Sequence, residues 1–428
     1  MTSNAVLIKG GHIVDPATGI DGHADIFIKD GKIQTIANDI KSNNNTFVID
    51  ATHKHVIPGL VDCHVHLREP GLEYKETIET GSRAAAKGGY TTLICEPNTI
   101  PPIDSLEMVE AFMELVRQKS LVNIYTKACI TKGLLGEELT DIDKLATDKR
   151  VRALSDDGNP VFYETLIKRA CELASRHKLI ISPHCEDSQI SLDKAKGNSN
   201  VAHFPGKPFC HETDFIIREI ACTEEARGWL HVSHVSLKNS LEVIQQAKER
   251  RVAKITCEVT PHHLLLDEHF KNPNGTVPKT NPPLRSREDR EALQESLSNG
   301  MVDVIATDHA PHTHDDIKKG ASGFVGLETA LGVILTKLVH PGMLSLKEVV
   351  RKMSTKPAQI FNVTGGSLAV GMPADIAIID LDKEWTVDVD KFESKARNCP
   401  FNGWKLIGQV VATLVGGRVV VDNCQMVC

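Results

Sequence analysis

The central part of the chain alternates short apolar segments with amphipathic ones. Each apolar segment has the length and residue types of a buried strand and ends in a polar or charged turn. In order they are V-I-P-G-L-V-D-C-H-V-H, Y-T-T-L-I-C, V-N-I-Y-T-K-A-C-I, V-R-A-L-S, L-I-I-S-P-H, W-L-H-V-S-H-V-S, I-T-C-E-V-T and V-D-V-I-A-T-D-H. Helical stretches such as E-T-L-I-K-R-A-C-E-L-A-S-R-H lie between them. About eight strands alternating with helices favour a (β/α)8 barrel over an open sheet.

Both ends of the chain have a different pattern, in which short strands are separated by turn signals and not by helices. The Asp30-Gly31 pair between two apolar runs indicates a hairpin. Neither end has enough apolar residues for a core of its own, so we expect one small β-sandwich domain built from residues 1–55 and 366–428. The catalytic barrel then occupies residues 56–365.

Composition and charge argue against several classes of protein. The chain has 428 residues, which is too long for one ordinary core. The net charge of −7 gives no basic stripe for nucleic acid. No apolar run reaches the roughly 18 residues of a membrane span, and no secretory signal is visible. Eleven widely spaced cysteines without a C-x-x-C motif are typical of reduced thiols, which indicates the cytoplasm.

Polar residues recur at the carboxyl ends of the predicted barrel strands, where barrel enzymes place their chemistry. His64 and His66 share one face of a strand because residues i and i+2 point the same way. Convergent neutral imidazoles suit a metal, most commonly zinc, although accidental spacing or hydrogen-bonded rim histidines remain alternatives. The set at the strand ends is His64, His66, Asn98, Asp156, Asp157, His184, His234 and Asp308.

Single members of this set have ordinary explanations. His184 or His234 alone could be a hydrogen-bonded core histidine. Asp308 could be a helix N-cap, and the acids of S-D-D-G could form a turn. Asp308 could equally move protons beside a metal, and an acid of S-D-D-G could bridge two metals. The recurrence at successive strand ends favours one shared site.

The ordered motifs H-V-H-L-R-E-P-G, E-P-N-T, S-D-D-G, H-C-E-D, H-V-S-H-V-S, T-N-P-P-L-R, A-T-D-H-A-P-H and G-F-V-G-L-E-T resemble those of dihydroorotases in the amidohydrolase superfamily. The resemblance covers nearly the whole chain. It implies one or two Zn2+ ions per subunit, with Asp308 also acting as general acid and base. The implied ligands are His64, His66, Asp157, His184, His234 and Asp308. No lysine stands in S-D-D-G, where many relatives carry a carboxylated one, so we expect Asp157 to be the bridge, with Asp156 as the alternative.

The same resemblance implies the residues that bind substrate, which are His66, Arg68, Asn98, Asn281, His312 and Gly323. Arg68 would hold a carboxylate together with Asn98, and a guanidinium matches that group in a two-pronged way. Arg68 could instead pair with a surface acid, and Asn281 could be a turn residue. Glu96 replaces a methionine that is common in relatives, and the segment between His312 and Gly323 looks shortened. We expect His262 and His263 to have supporting or structural roles.

The implied activity is the reversible interconversion of L-dihydroorotate and N-carbamoyl-L-aspartate in pyrimidine biosynthesis. A hydantoinase, dihydropyrimidinase or allantoinase is the enzymatic alternative, and a non-catalytic scaffold is the alternative from another class. The partner we expect is a small-molecule substrate, with neither nucleic acid nor membrane. We also expect a homodimer, while association with another pyrimidine enzyme is left open.

Overall fold

The structure is a computed structural model that describes residues 5–186, 212–272 and 278–427. The first five strands of the chain belong to a sheet that is separate from the barrel described below. They are β1 (Ala5–Asp15), β2 (Ile20–Lys29), β3 (Lys32–Ala37), β4 (Thr46–Asp50) and β5 (His55–Pro58). Asp30 and Gly31 connect β2 to β3, which pair in antiparallel fashion, so the predicted hairpin is confirmed.

Eight parallel strands then form a nearly closed barrel in sequence order. They are β6 (Leu60–Val65), β7 (Tyr90–Cys95), β8 (Asn123–Ala128), β9 (Val151–Leu154), β10 (Ile180–Ile181), β11 (Trp229–Val232), β12 (Lys254–Val259) and β13 (Val304–Ile305). A parallel bridge between Val65 and His309 joins the first strand to the segment after the last. Each strand coincides with one of the apolar segments identified in the sequence, except that β12 begins one residue earlier, at Lys254, so the predicted barrel is confirmed.

Helices cover the outside of the barrel. The longer ones are Ile78–Lys87, Leu106–Lys119, Glu164–His177, Glu212–Glu225, Lys238–Arg250 and Arg287–Ser298. The shorter ones are Ile142–Leu145, Pro261–Leu265, His314–Lys318, Ala330–Ile334, Leu346–Val350 and Lys356–Phe361. Thr77 starts the first of them with a capping box, in which its side chain and that of Thr80 satisfy free backbone amides at the helix end. This cap fixes where the helix Ile78–Lys87 begins.

The end of the chain returns to the first sheet. Strand β14 (Ile376–Thr386) pairs antiparallel with β5, and it is followed by β15 (Lys405–Val415), β16 (Arg418–Asp422) and β17 (Gln425–Met426). The resulting nine-stranded sheet combines both chain ends, as predicted, into the small β-sandwich domain. Its core contains alternating residues of paired strands, among them Ile26, Ile376 and Leu414. The exact division between the two domains stays a prediction.

Two further expectations concern membrane-spanning segments and the state of the cysteines. Within the described residues, no helix is both long enough and apolar enough to cross a bilayer. The described cysteines are free thiols, and all but Cys399 and Cys424 are buried. The buried ones pack in the interior as small side chains.

Candidate metal centre

The first strand of the barrel delivers the histidine pair. His64 lies in β6 and His66 follows it directly, with ring centroids 5.5 Å apart. Nδ1 of His64 lies 2.6 Å from Oε1 of Glu258. An ionised carboxylate only accepts hydrogen bonds, so Nδ1 of His64 carries the proton. Its Nε2 is therefore unprotonated and can coordinate a metal. That Nε2 is buried and has no hydrogen-bond partner in the described part of the chain.

His66 is oriented in the same way by a different residue. The Asn98 side chain, which follows β7, donates through Nδ2 to Oδ2 of Asp157 at 3.2 Å. Its Oδ1 therefore faces Nδ1 of His66, 3.0 Å away, and accepts the proton of that nitrogen. The free Nε2 of His66 points toward the same space as Nε2 of His64.

The two acids of the S-D-D-G motif, which follows β9, contact different parts of the protein. Oδ1 of Asp157 lies 3.4 Å from Nε2 of His64 and 3.5 Å from Nδ1 of His184. Oδ1 of Asp156 instead accepts from the backbone amides of Ile130 at 2.7 Å and Thr131 at 3.1 Å. The structure thus brings Asp157 into the cluster and turns Asp156 toward the loop after β8.

His184 and His234 follow the neighbouring strands β10 and β11. Nδ1 of His184 lies 3.0 Å from Nε2 of His234. Two nitrogen ligands of one tetrahedral zinc ion lie about 3.3 Å apart, given zinc–nitrogen distances near 2.05 Å. The observed separation is close to that value.

Asp308 follows β13 and completes the ring of polar residues. Its Oδ1 lies 3.2 Å from Nε2 of His66 and 3.6 Å from Nε2 of His64. Asp308 has a positive φ of 49°, as do Arg68 at 63° and His234 at 33°. Non-glycine residues adopt this region rarely, and such residues concentrate at functional sites.

The donor set fits a divalent metal. One atom each from His64, His66 and Asp308 lies within 4.8 Å of the others, and so does one each from His64, Asp157 and His234. These groups offer nitrogen and carboxylate oxygen, the ligands that suit zinc. The orphaned Nε2 of His64 also needs a partner that the protein itself does not supply. The residues present therefore fit the metal that the family likeness implies.

Both acids of the cluster are kept ionised by the imidazoles around them. Burial raises the pKa of Asp157, but the close imidazoles of His184, His234 and His64 outweigh burial and hold the pKa well below its ordinary value. Burial acts in the same direction on Asp308, and the nearby rings of His66 and His64 again hold its pKa below the ordinary value. Ionised carboxylates are the form that a metal requires.

A basic group lies beside the cluster. Nη2 of Arg68 lies 3.3 Å from Nε2 of His312, and Nε of Arg68 donates to the carbonyl of Pro311 at 3.2 Å. Burial, together with the charges of Arg68 and Lys75, lowers the pKa of His312 to about 3. His312 is therefore neutral there, and Arg68 and Lys75 provide the positive charge.

The other two predicted substrate residues differ in position. Nδ2 of Asn281 lies 2.8 Å from Nε2 of His184, so Asn281 borders the cluster. Gly323 lies close to His312, but its amide donates to the carbonyl of Lys279 at 2.9 Å. The substrate roles of both residues stay predictions, and for Gly323 the amide would first have to leave Lys279.

The paired histidines of T-P-H-H-L support neighbouring segments. His263 bonds through Nδ1 to Oγ1 of Thr260 at 2.8 Å, and its Nε2 donates to the carbonyl of Pro282 at 3.1 Å. That contact holds the segment next to Asn281. The ring of His262 packs edge-on against Phe324.

Sequence reasoning missed a layer of charged residues beneath the cluster. Glu258 lies inside β12, and Lys127 inside β8 forms an ion pair with Glu96 while donating to Oγ of Ser182 at 2.9 Å. All three charged side chains are buried. Charged residues within or directly after otherwise apolar strands are the signal that could have identified them, because such residues are almost never buried without a partner.

Comparison with known proteins identifies the family. The amidohydrolase family profile matches residues 55–420. The chain belongs to the amidohydrolase family. A dihydroorotase from Acetivibrio thermocellus is 44% identical over 427 residues, which cover 97% of this chain and 99% of that protein. A dihydroorotase from Ruminiclostridium cellulolyticum is 42% identical over 424 residues, covering 97% and 98% respectively.

A solved structure gives the same answer for the fold. The L-hydantoinase (dihydropyrimidinase) from Arthrobacter aurescens superposes with a TM-score of 0.88 at 29% identity, covering 99% of this chain and 97% of that one. The resemblance to dihydroorotases inferred from the motifs is confirmed by the sequence relatives. The chain is thus an enzyme of this amidohydrolase family, and hydantoinases share its architecture.

Proposed function

We propose that the protein is a zinc-dependent dihydroorotase, which interconverts L-dihydroorotate and N-carbamoyl-L-aspartate in pyrimidine biosynthesis. The observation that carries the proposal is the position of Arg68, whose guanidinium lies 3.3 Å from His312 and interacts electrostatically with Asp157 and Asp308 of the donor cluster. A cyclic amide with a carboxylate needs a hydrolytic centre and an anion-binding group next to each other. The identity of 44% with a dihydroorotase supports the same substrate.

The metal would be held by the residues that surround the orphaned Nε2 of His64. A bound zinc ion would lower the pKa of a coordinated water to about 7 and polarise the amide carbonyl. The proposed ligands are His64, His66, Asp157, His184, His234 and Asp308, and the residues are sufficient for one or two ions.

Asp308 is the proposed proton carrier. Its carboxylate faces Nε2 of His66 on one side and the centre of the cluster on the other. In hydrolysis it takes the proton of the attacking water while the new C–O bond forms at the ring carbonyl. It then gives that proton to the ring nitrogen as the C–N bond breaks. Ring closure runs the same steps backwards, consumes a proton and releases water.

Arg68 and Asn98 are the proposed carboxylate anchors. The guanidinium is buried and its pKa is lowered by burial, although it remains a cation because arginine does not lose its proton in proteins. Its positive charge favours an anion in the adjacent space. His312, as a neutral ring between Arg68 and Lys75, would contact the substrate ring.

Hydantoinase-type activity is the second candidate, because the solved hydantoinase from Arthrobacter aurescens shares the fold with a TM-score of 0.88. Hydantoin and dihydrouracil lack the carboxylate that Arg68 would bind. We therefore expect dihydroorotate to be preferred. A non-catalytic scaffold is disfavoured because the predicted donor residues are all present.

One experiment tests the proposal. Zinc content and hydrolysis of dihydroorotate are measured on the same preparation, with dihydrouracil, hydantoin and allantoin as competing substrates. We expect bound zinc and a preference for dihydroorotate. Preference for an uncharged ring would favour the hydantoinase alternative, and absence of both zinc and turnover would revive the scaffold.

Three further expectations are part of the proposal. They are a homodimer, residence in the cytoplasm, and a division of the chain into residues 56–365 for the catalytic domain and 1–55 plus 366–428 for the composite one. Association with another pyrimidine enzyme remains an alternative to a free homodimer. Light scattering on the purified protein tests the dimer directly.

A further inference from the structure

A single buried carboxylate connects two of the proposed metal ligands. Glu258 lies in β12 with no exposed surface. Its Oε1 accepts from Nδ1 of His64 at 2.6 Å and from the backbone amide of His234 at 3.2 Å. His64 belongs to β6, whereas His234 follows β11, so this oxygen atom joins two distant parts of the barrel.

The second oxygen of Glu258 anchors the carboxylate from the other side. Oε2 lies 3.0 Å from Nε2 of His231 and accepts from Sγ of Cys63 at 3.1 Å. Nδ1 of His231 is in turn bonded to Oγ1 of Thr256 at 2.9 Å. The carboxylate therefore has a partner on every side and cannot rotate without breaking several hydrogen bonds.

The contacts with His64 and His234 have separate physical effects. A carboxylate on Nδ1 fixes the tautomer of His64, orients the ring and increases the basicity of Nε2. The charged hydrogen bond to the amide of His234 stabilises a backbone with φ of 33°, which a histidine rarely adopts. Without it, His234 would be free to relax toward ordinary backbone angles and withdraw its ring.

We propose that Glu258 is a positioning residue, which holds His64 and His234 in the geometry that binds the metal. The proposal rests on the metal-dependent function proposed above, because Glu258 acts only through those histidines. It touches neither the substrate space nor the atoms that face the centre of the cluster.

Another role for the same residues is a separate metal site. Donor atoms of Cys63, His231 and Glu258 lie within 4.8 Å of one another. Each of them, however, already takes part in a hydrogen bond, and all three residues are buried. The hydrogen-bonded arrangement is therefore complete without an ion, which favours positioning over ligation.

The test compares zinc affinities of metal-free proteins by competition with a chromogenic chelator. Glu258→Gln keeps an oxygen for Nδ1 of His64 but loses the charge, and we expect zinc binding to weaken by about 10- to 100-fold. Glu258→Ala loses both and should bind more weakly still. Asp375→Asn is the matched control, because Asp375 is a buried carboxylate that bonds Asn123 at the start of β8, the opposite end of the barrel.

Zinc affinity within twofold of wild type in a folded Glu258→Gln protein would overturn the proposal. If that variant does not fold, nitrogen-15 spectra of the unmodified, zinc-loaded protein decide. They should show a proton on Nδ1 of His64, assigned by its loss in His64→Asn, and a missing proton would overturn the proposal. Failure of the wild-type protein to bind zinc would instead contradict the proposed function.

Discussion

Oδ1 of Asp308 lies 3.2 Å from Nε2 of His66, in the space that the proposed ligands enclose. The two residues follow the first and last strands of the barrel and meet only because the barrel closes. This relationship makes Asp308 the acid best placed to exchange a proton with a group bound at the centre.

Replacing Asp308 by asparagine should preserve most of the metal while abolishing proton transfer. The amide keeps an oxygen but cannot accept the proton, so we expect turnover to fall by about 100- to 10,000-fold. Metal content and kcat are the measurements. Asp315→Asn, a change of an exposed acid nearby in the sequence, is the control. Near-normal turnover would remove Asp308 from the proton path.

Replacing Arg68 by methionine should weaken binding of carboxylated rings. Loss of a charged hydrogen-bonding pair costs about 1.5–3 kcal/mol, so kcat/KM for dihydroorotate should fall roughly 10- to 150-fold, chiefly through KM. Hydrolysis of dihydrouracil is the internal control, because that ring has no carboxylate for Arg68 to bind and its kcat/KM should change little. Equal effects on both substrates would contradict a role for Arg68 in anchoring the carboxylate.

Substitutions of the adjacent acids Asp156 and Asp157 should have different effects on the zinc content of the protein. Asp157→Ala removes a group that contacts His64 and His184, and zinc content should fall. Asp156→Ala removes an acceptor for two backbone amides, so it should lower the melting temperature and leave zinc bound. Zinc loss in Asp156→Ala with retention in Asp157→Ala would reverse the assignment of the bridge.

The buried acid Glu328 should make stability depend on pH. Burial raises its pKa from the ordinary 4.5 to about 7, against the opposing charge of Lys87. Between these values the folded state keeps a proton that the unfolded state releases, so stability falls as pH rises through this window, by on the order of 3 kcal/mol.

Glu328→Gln imitates the protonated acid and supplies the measurement. Its melting temperature should match that of wild type near pH 4 and exceed it near pH 8. Melting curves of the two proteins recorded across this range decide the matter. A constant difference at every pH would show that Glu328 does not titrate in this window.

Site residues could be predicted from the sequence when they lie at the end of a strand. His64, His184, His234 and Asp308 occupy strand ends, and strand ends can be read from apolar runs, so their convergence was predictable once a barrel was expected. Asp156 and Asp157 are adjacent in one turn, and periodicity alone could not say which acid faces the barrel axis. Family likeness favoured Asp157, and in the structure Asp157 lies among the imidazoles while Asp156 accepts from the backbone of Ile130 and Thr131.

Glu258, Glu96 and Lys127 were not predicted because strand patterns identify buried positions without pairing the residues in them. A charge inside an apolar strand indicates that some partner exists, but the partner comes from another strand at an unknown register. The contact between Glu258 and His64 spans 194 positions in the sequence. Only the closed barrel determines it.

The sequence by itself determined the fold class, the family and the order of polar residues along the strand ends, because these depend on local periodicity and on motifs. The tertiary structure decided which atoms face each other: Nε2 of His64 toward the cluster, Asp156 away from it, and Glu258 beneath both His64 and His234. The physical reason is that hydrogen-bond direction, side-chain tautomer and positive-φ backbone are fixed by neighbours distant in sequence, and no local pattern records them.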